Sequence, residues 1–299
     1  MSRMVLTVAT ILIVGTPIAT VAQDSGAHTS EMQVAAERGD AQAELNLGIA
    51  CFKKGDGMSK DNVRAVEWFE KAAKQGLAKA QEILGFAYHD GDGVAQNPQE
   101  ALKWWQEAAR QNDAMAQLIL GSAYHDGAGV PKDDIEAAKW HRRAAEQSFA
   151  PAEAVLGKDY SLGRGVPKDS IEAAKWFRKA AEHNDARGQY YLGSAYLLGF
   201  GVPQDDVEAM KWWRVSAEHG FMEAERDLGK AFHSGTGVTK DDVQSHMWLS
   251  LAAAQNDPKA LSTLSEIETF MTSEQIAESK RRASEWRPTP ESKASPPAP

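Results

Sequence analysis

Apolar positions between residues 41 and 257 recur at two spacings. The short one is i, i+4, i+8, as in Ala80, Leu84 and Tyr88, which puts these residues on one stripe of an α-helix. The long one is 36 residues: Trp68, Trp104, Trp140, Trp176, Trp212 and Trp248 keep that step, as do Leu84-Gly85, Leu120-Gly121, Leu156-Gly157, Leu192-Gly193 and Leu228-Gly229. Small pairs from Ala72-Ala73 to Ala252-Ala253 keep it as well. Self-similarity at such a period is the mark of stacked supersecondary units, and six copies can be written from Ala41 to Asp257. In the first copy Leu47-Gly48 lies one residue out of phase, which implies an insertion before Gly55.

Each copy reads as two helices. The first carries the Leu-Gly pair and stops at glycines such as Gly91 and Gly93, which can take the positive φ of a helix end. A glycine in mid-helix costs about 1 kcal/mol relative to alanine, so Gly85 and its equivalents point to close approach by a neighbouring helix. The second helix opens on Asp61, Asn97, Asp133, Asp169, Asp205 or Asp241, side chains that accept from free N–H groups of a first turn. Glu136, Glu172 and Glu208 follow three residues later, close to a capping box. The repeated tryptophans are expected in the core, and the residues after two of them, Trp105 and Trp213, as half-buried contacts between repeats.

A helix pair of this size cannot bury its apolar face alone, so stacking must supply the core and the ends must be capped. Residues 31–40 are expected to form an N-terminal cap helix and 258–286 two C-terminal capping helices, leaving 287–299 as a disordered Pro-rich tail. Residues 1–22 have the basic start, apolar run and small-residue exit of a signal peptide, with 23–30 as a linker. The expected product is exported, periplasmic or secreted, with no membrane span after signal removal.

The net charge is −9, and loss of Arg3 with the signal makes it one unit more negative, which argues against a nucleic-acid partner. Cys51 is the only cysteine, so no disulfide can form within the chain, and it reads as a small buried residue. Catalytic motifs are missing: there is no Ser-x-x-Lys, His-Glu-x-x-His, Gly-x-Ser-x-Gly, Cys-x-x-Cys or phosphate-cradling glycine loop. No cofactor is implied. His89, His125 and His233 recur at equivalent turns, but at roughly 10 Å between successive pairs they could not share one zinc ion. They read as solvated turn residues, with loose metal binding beside a local carboxylate as the other reading.

The motif Ala-x-Ala…Leu-Gly-x-x-Tyr-x-x-Gly-x-Gly-Val…Asp…Glu-Ala-x-x-Trp…Ala-Ala, complete from Ala114 through Leu120, Tyr124, Gly129, Asp133 and Trp140 to Ala145, resembles the Sel-one-like repeat, a relative of the tetratricopeptide repeat. The resemblance implies an all-α, right-handed superhelical solenoid of antiparallel helix pairs whose first helices line a concave groove. It further implies a non-catalytic scaffold that binds a protein or peptide partner in envelope assembly, signalling or host contact. Cysteine-rich members described as β-lactamases supply the alternative, a hydrolase, but this chain lacks their paired cysteines.

The fifth copy breaks the pattern with apolar residues. Tyr190 fills a slot held elsewhere by Leu45, Glu82, Leu118, Ala154 and Arg226; Leu197 and Leu198 replace His-Asp; and Phe200 replaces Asp92, Ala128, Arg164 or Thr236. These four are the expected anchors for a partner, with Glu223, Glu225, Arg226 and Lys230 as a polar rim. Filling of a local gap is the competing explanation.

Overall fold

The first turn of each second helix is set by its opening side chain. Asn97 accepts from the Glu100 N–H, Asp205 from Glu208 and Asp241 from Gln244, while Asp169 accepts from both Ile171 and Glu172. The expected reciprocal half of a capping box is not formed in the middle copies. Glu136, Glu172 and Glu208 turn instead to the lysines three residues on, at 2.9, 3.1 and 2.8 Å. The N–H groups of Asp133, Asp169 and Asp205 already donate to the carbonyls of Tyr124, Tyr160 and Tyr196, which leaves those carboxylates no cap donor.

The computed structural model describes residues 25–52 and 61–289. The expected signal segment, the insertion before Gly55 and the tail from residue 290 onward lie outside the described residues. Among the described residues every regular element is helical, and the chain divides into two compact units between Ala144 and Ala145. The first unit holds α1 (Ser25–Glu37), α2 (Ala41–Phe52), α3 (Asn62–Lys74), α4 (Ala78–Asp90), α5 (Pro98–Arg110), α6 (Ala114–Asp126) and α7, which runs from Asp134 to its last residue, Ala145, at the boundary. The second holds α8 (Ala150–Leu162), α9 (Ser170–Glu182), α10 (Ala186–Leu198), α11 (Asp206–Glu218), α12 (Met222–Ser234), α13 (Asp242–Ala254), α14 (Pro258–Ile267) and α15 (Ser273–Glu285). A short 3-10 turn, Glu268–Phe270, follows α14. From α1 through α6, and again from α8 through α14, each helix packs on the next, as an all-α solenoid of helix pairs requires. Helix α1 begins at Ser25, within the segment read as a linker.

The mid-helix glycines face a large side chain of the paired helix. A Cβ on Gly157 would fall 2.6 Å from the Phe177 ring, one on Gly193 2.5 Å from the Trp213 indole, and one on Gly229 2.7 Å from Leu249. Gly85 faces Trp105 in the same way. This reverses part of the expected burial. Trp105 and Trp213 are deeply buried within their own copies, and their indole N–H groups donate to the carbonyls of Glu82 (3.2 Å) and Tyr190 (3.1 Å). Trp104 and Trp140 of the repeated column are only half-buried. In that column the cation three residues on covers a ring face, as Lys71 does over Trp68 (3.8 Å) and Lys179 over Trp176 (4.0 Å).

A second column escaped the sequence reading. Glu44, Gln81, Gln117, Glu153, Gln189 and Glu225 are all buried on first helices. Several are met by the residue that ends the second helix of the same copy. Gln75 donates to Glu44 (2.7 Å), Gln111 to Gln81 (2.8 Å) and Gln255 to Glu225 (2.9 Å), and His183 Nδ1 lies 2.7 Å from Glu153. Burying a polar side chain without such a partner would be costly, so the pairing fixes how the two helices of a copy sit.

At the end of the second unit His246, fully buried on α13, ties down the last helices. Its Nδ1 lies 2.5 Å from Ser279 Oγ and its Nε2 2.9 Å from Glu268 Oε1. Trp286 meets Trp248 edge to face at 6.0 Å, and the Thr289 N–H donates to the Glu218 carbonyl at 2.7 Å.

Candidate functional site

Of the eight residues expected to meet a partner, Glu225 is buried, Leu198 is exposed and the other six are half-buried. Tyr190 is half-buried in an aromatic cluster, stacked on Trp213 (6.0 Å between centroids) and beside Tyr191 (5.6 Å) and Phe221 (5.4 Å). Its hydroxyl donates to Asp227 Oδ2 at 2.8 Å, and burial together with that neighbouring charge pushes the phenol pKa up. Arg226 is half-buried, bonded to Asp227 (2.8 Å) and Asp257 (2.9 Å). Lys230 stands 3.9 Å from Asp227. Glu225 departs furthest from expectation. It is wholly buried in the Glu/Gln column, and burial pushes its carboxyl up to about 7. Glu223 is partly exposed.

Among the expected apolar anchors, Leu197 is half-buried against the cluster containing Trp213 and Leu228. Phe200 belongs to another cluster, with Ala173, Phe177, Leu192 and Trp212. Leu198 alone is largely in solvent, at 75% exposure. Gap filling therefore accounts for most of the apolar excess in the fifth copy.

The recurring histidines each face one carboxylate: His89 Nδ1 lies 2.8 Å from Asp90, His125 2.6 Å from Asp134 and His233 2.7 Å from Asp242. Among the described residues no three His, Cys, Asp or Glu side chains converge as a metal site would need. The Ser279–His246–Glu268 chain has the residue types of a hydrolytic triad, but both Ser279 and His246 are buried, so the hydroxyl is closed to a substrate.

The cavity that the sequence reading missed lies in the first unit, between α4, α5 and α6. It has a volume of about 390 Å³. Phe86, Leu102 and Trp105 make its buried wall and Met115 and Ile119 the facing one, with Asp90 and Asp126 exposed at its margin. Phe86 and His89 lie against Trp105, with centroids 5.2 and 5.6 Å away.

Two groups that meet at the same place one copy earlier are absent at the cavity. In that earlier copy the Asn62 side-chain amide donates to Asp92 in the following turn, and a Cβ on Gly93 would run into the Asn62 carbonyl. Thirty-six residues on, Asn62 becomes Pro98 and Asp92 becomes Ala128, so neither donor nor acceptor exists. Around a Cβ on Gly129 only Leu102 comes within 4 Å. A sequence signal was available. Phe86 stands where Ser122, Lys158, Ser194 and Lys230 stand in later copies, and Met115 where Lys79, Arg187 and Glu223 do.

In the second unit the equivalent place is filled. Ile119 is replaced by Tyr191, whose ring lies 5.0 Å from Phe177, and Ala128 is replaced by Phe200. The turn is seated there too, since a Cβ on Gly201 would run into the Ser170 carbonyl. Asp90 and Asp126 correspond to Leu162 and Leu198, both exposed.

Comparison with known proteins agrees with this architecture. The Sel1 repeat family model matches residues 41–77, 78–113, 114–149, 150–185, 186–221 and 223–257. A protective antigen of uropathogenic Escherichia coli strains, whose crystal structure displays an SLR fold, is 34% identical with a TM-score of 0.73. The match covers 86% of this chain but only 56% of that longer one. A Sel1 repeat protein from Oxalobacter formigenes is 33% identical with a TM-score of 0.69, covering 77% of this chain and 97% of that one. No curated protein matches the sequence. Six matched repeats over most of the chain, on the helix pairs described above, make this protein a member of the Sel1 repeat family.

Proposed function

We propose that the protein is an exported, non-catalytic repeat scaffold that binds a protein or peptide partner. The observation that carries the reading is the open apolar cavity between adjacent repeats of the first unit. A recess of this size, with a mostly apolar lining and a few polar groups at its margin, is the usual form of a recognition site. Export rests on the signal-like residues 1–22 and places the scaffold in the periplasm or outside the cell. The likeness to a protective antigen of uropathogenic Escherichia coli supports a role at or beyond the envelope.

The test is a photo-cross-linking residue placed at Ser122, on the cavity wall, in the producing cell. A discrete partner band is expected there, and the protein in the envelope or medium should begin at Gln23. Diffuse labelling that is unchanged when the residue is moved to a distant surface position, or an intact N-terminus inside the cell, contradicts the corresponding half of the proposal.

A further inference from the structure

The two equivalent places in the chain differ in a way that describes the missing occupant. In the second unit the space is filled by aromatic side chains of the polypeptide itself, Tyr191 and the turn residue Phe200. In the first unit these positions are Ile119 and Ala128, and the volume stands open beside Phe86, Leu102 and Trp105. What fits the shape is therefore visible within the protein: one aromatic side chain entering from the turn side.

The margins differ as well. The filled place is bordered by Leu162 and Leu198, the open one by Asp90 and Asp126, and among the described residues no Lys or Arg lines the open cavity. Among the described residues His89 is the only basic group lining the cavity, and its ring nitrogen already faces Asp90. A ligand entering here desolvates apolar walls while passing two carboxylates, so it needs an apolar tip and positive charge beside it.

We infer that the cavity between α4, α5 and α6 receives a phenylalanine- or tyrosine-sized side chain of a partner polypeptide, flanked by lysine or arginine that meets Asp90 and Asp126. This rests on the scaffold reading and gives its partner a chemistry. The aromatic side chain repeats the role of Phe200 from outside the chain, and the flanking cations supply a contact that the filled place, with leucines at its margin, cannot make.

The experiment is selection of a displayed random-peptide library on the purified protein, with phenethylamine as a small-molecule competitor. Ala128→Phe reproduces the plug of the second unit. Ala128→Arg copies Arg164, which holds the same turn position in the fourth copy, and puts a repelling charge at the mouth without entering the core. Asp90→Asn with Asp126→Asn removes only the charge.

The parent is expected to enrich peptides with an aromatic residue beside Lys or Arg. Binding should fall about tenfold or more in Ala128→Phe and in Ala128→Arg. The double Asn variant should keep the aromatic preference but lose the basic one, with weaker salt dependence. If the parent and both Ala128 variants enrich the same peptides, the protein binds peptides elsewhere, so this inference fails while the scaffold reading stands. Displacement by phenethylamine at the peptide's own concentration would make the cavity a small-amine site and overturn the polypeptide assignment. Should no peptide be enriched while a partner still cross-links at Ser122, the aromatic-basic chemistry is wrong; absence of both removes the scaffold reading too.

Discussion

The open place in the first unit and the filled one in the second are built on the same frame. In both, a mid-helix glycine, Gly85 or Gly157, accommodates a large ring, Trp105 or Phe177, from the paired helix. In both, a left-handed glycine ends the next first helix, Gly127 with φ 72° and Gly199 with φ 63°. They part at variable positions, among them Phe86 against Lys158, Leu102 against Ala174, Pro98 against Ser170, Ile119 against Tyr191, Ala128 against Phe200, and the aspartates against leucines. Repeat positions make the solenoid, and the variable positions decide whether the seam between two copies is sealed or left as a recess.

The largest expected effect concerns Glu82, whose backbone carbonyl accepts from the Trp105 indole that lines the open place. Glu82 is buried on α4 where the filled place has Ala154, and burial, reinforced by the charge of Asp113, pushes its carboxyl up to about 7 despite Lys79 at 2.7 Å. A folded-state value above the unfolded one favours the protonated acid. The contribution of Glu82 is thus fully present below the unfolded value near 4.5, falls away as pH rises to about 7, and stays lost above it. Glu82→Gln should therefore be more stable than the parent by about 2–3 kcal/mol at pH 8, with the gain vanishing near pH 4. Urea unfolding at the two pH values reads this, and a pH-independent difference would remove Glu82 as a titrating group.

Next in size is Phe200→Ala, which should open in the second unit the recess that the first already has. Loss of a half-buried aromatic side chain is expected to cost about 2 kcal/mol, less than the roughly 3–5 kcal/mol of a fully buried one. A change below about 0.5 kcal/mol would mean that Phe200 seals nothing. Smaller still is the repair of the open place. Pro98→Asn with Ala128→Asp restores the donor and acceptor of the Asn62–Asp92 contact, and a double-mutant cycle should show a favourable coupling of about 1 kcal/mol. The smallest effect belongs to the charges at the mouth: Asp90→Asn with Asp126→Asn should leave stability within about 0.5 kcal/mol.

The frame was legible in the sequence because periodicity reports repeated constraints. The 36-residue step gave the helix pairs, the Asp and Asn caps and the close approach at Gly85 directly. Burial within the pairs was less legible. Trp104 and Trp105 are adjacent and chemically alike, and only the position of Gly85 on the facing helix decides which is sealed in. The Glu/Gln column was hidden because charged and amide residues read as surface until the partner from the second helix is seen. For the site, apolar excess in the fifth copy was visible, but excess is what fills a gap. The recess lies where atoms are missing, the Asn62 amide and Asp92 carboxylate replaced by Pro98 and Ala128, and a search for conspicuous side chains passes over small ones.

The contrast between open and filled places is tested most directly by methyl NMR with a reporter in each. Met115 already lines the open cavity, and Arg187→Met places a second methionine at the equivalent position of the second unit. With ¹³C-methyl methionine, titration with an acetylated, amidated Lys-Phe-Lys peptide should shift the Met115 signal saturably and leave the reporter at 187 unmoved. Equal shifts at both positions, or a stationary Met115, would contradict the claim that one seam between repeats is an open site and the other is sealed.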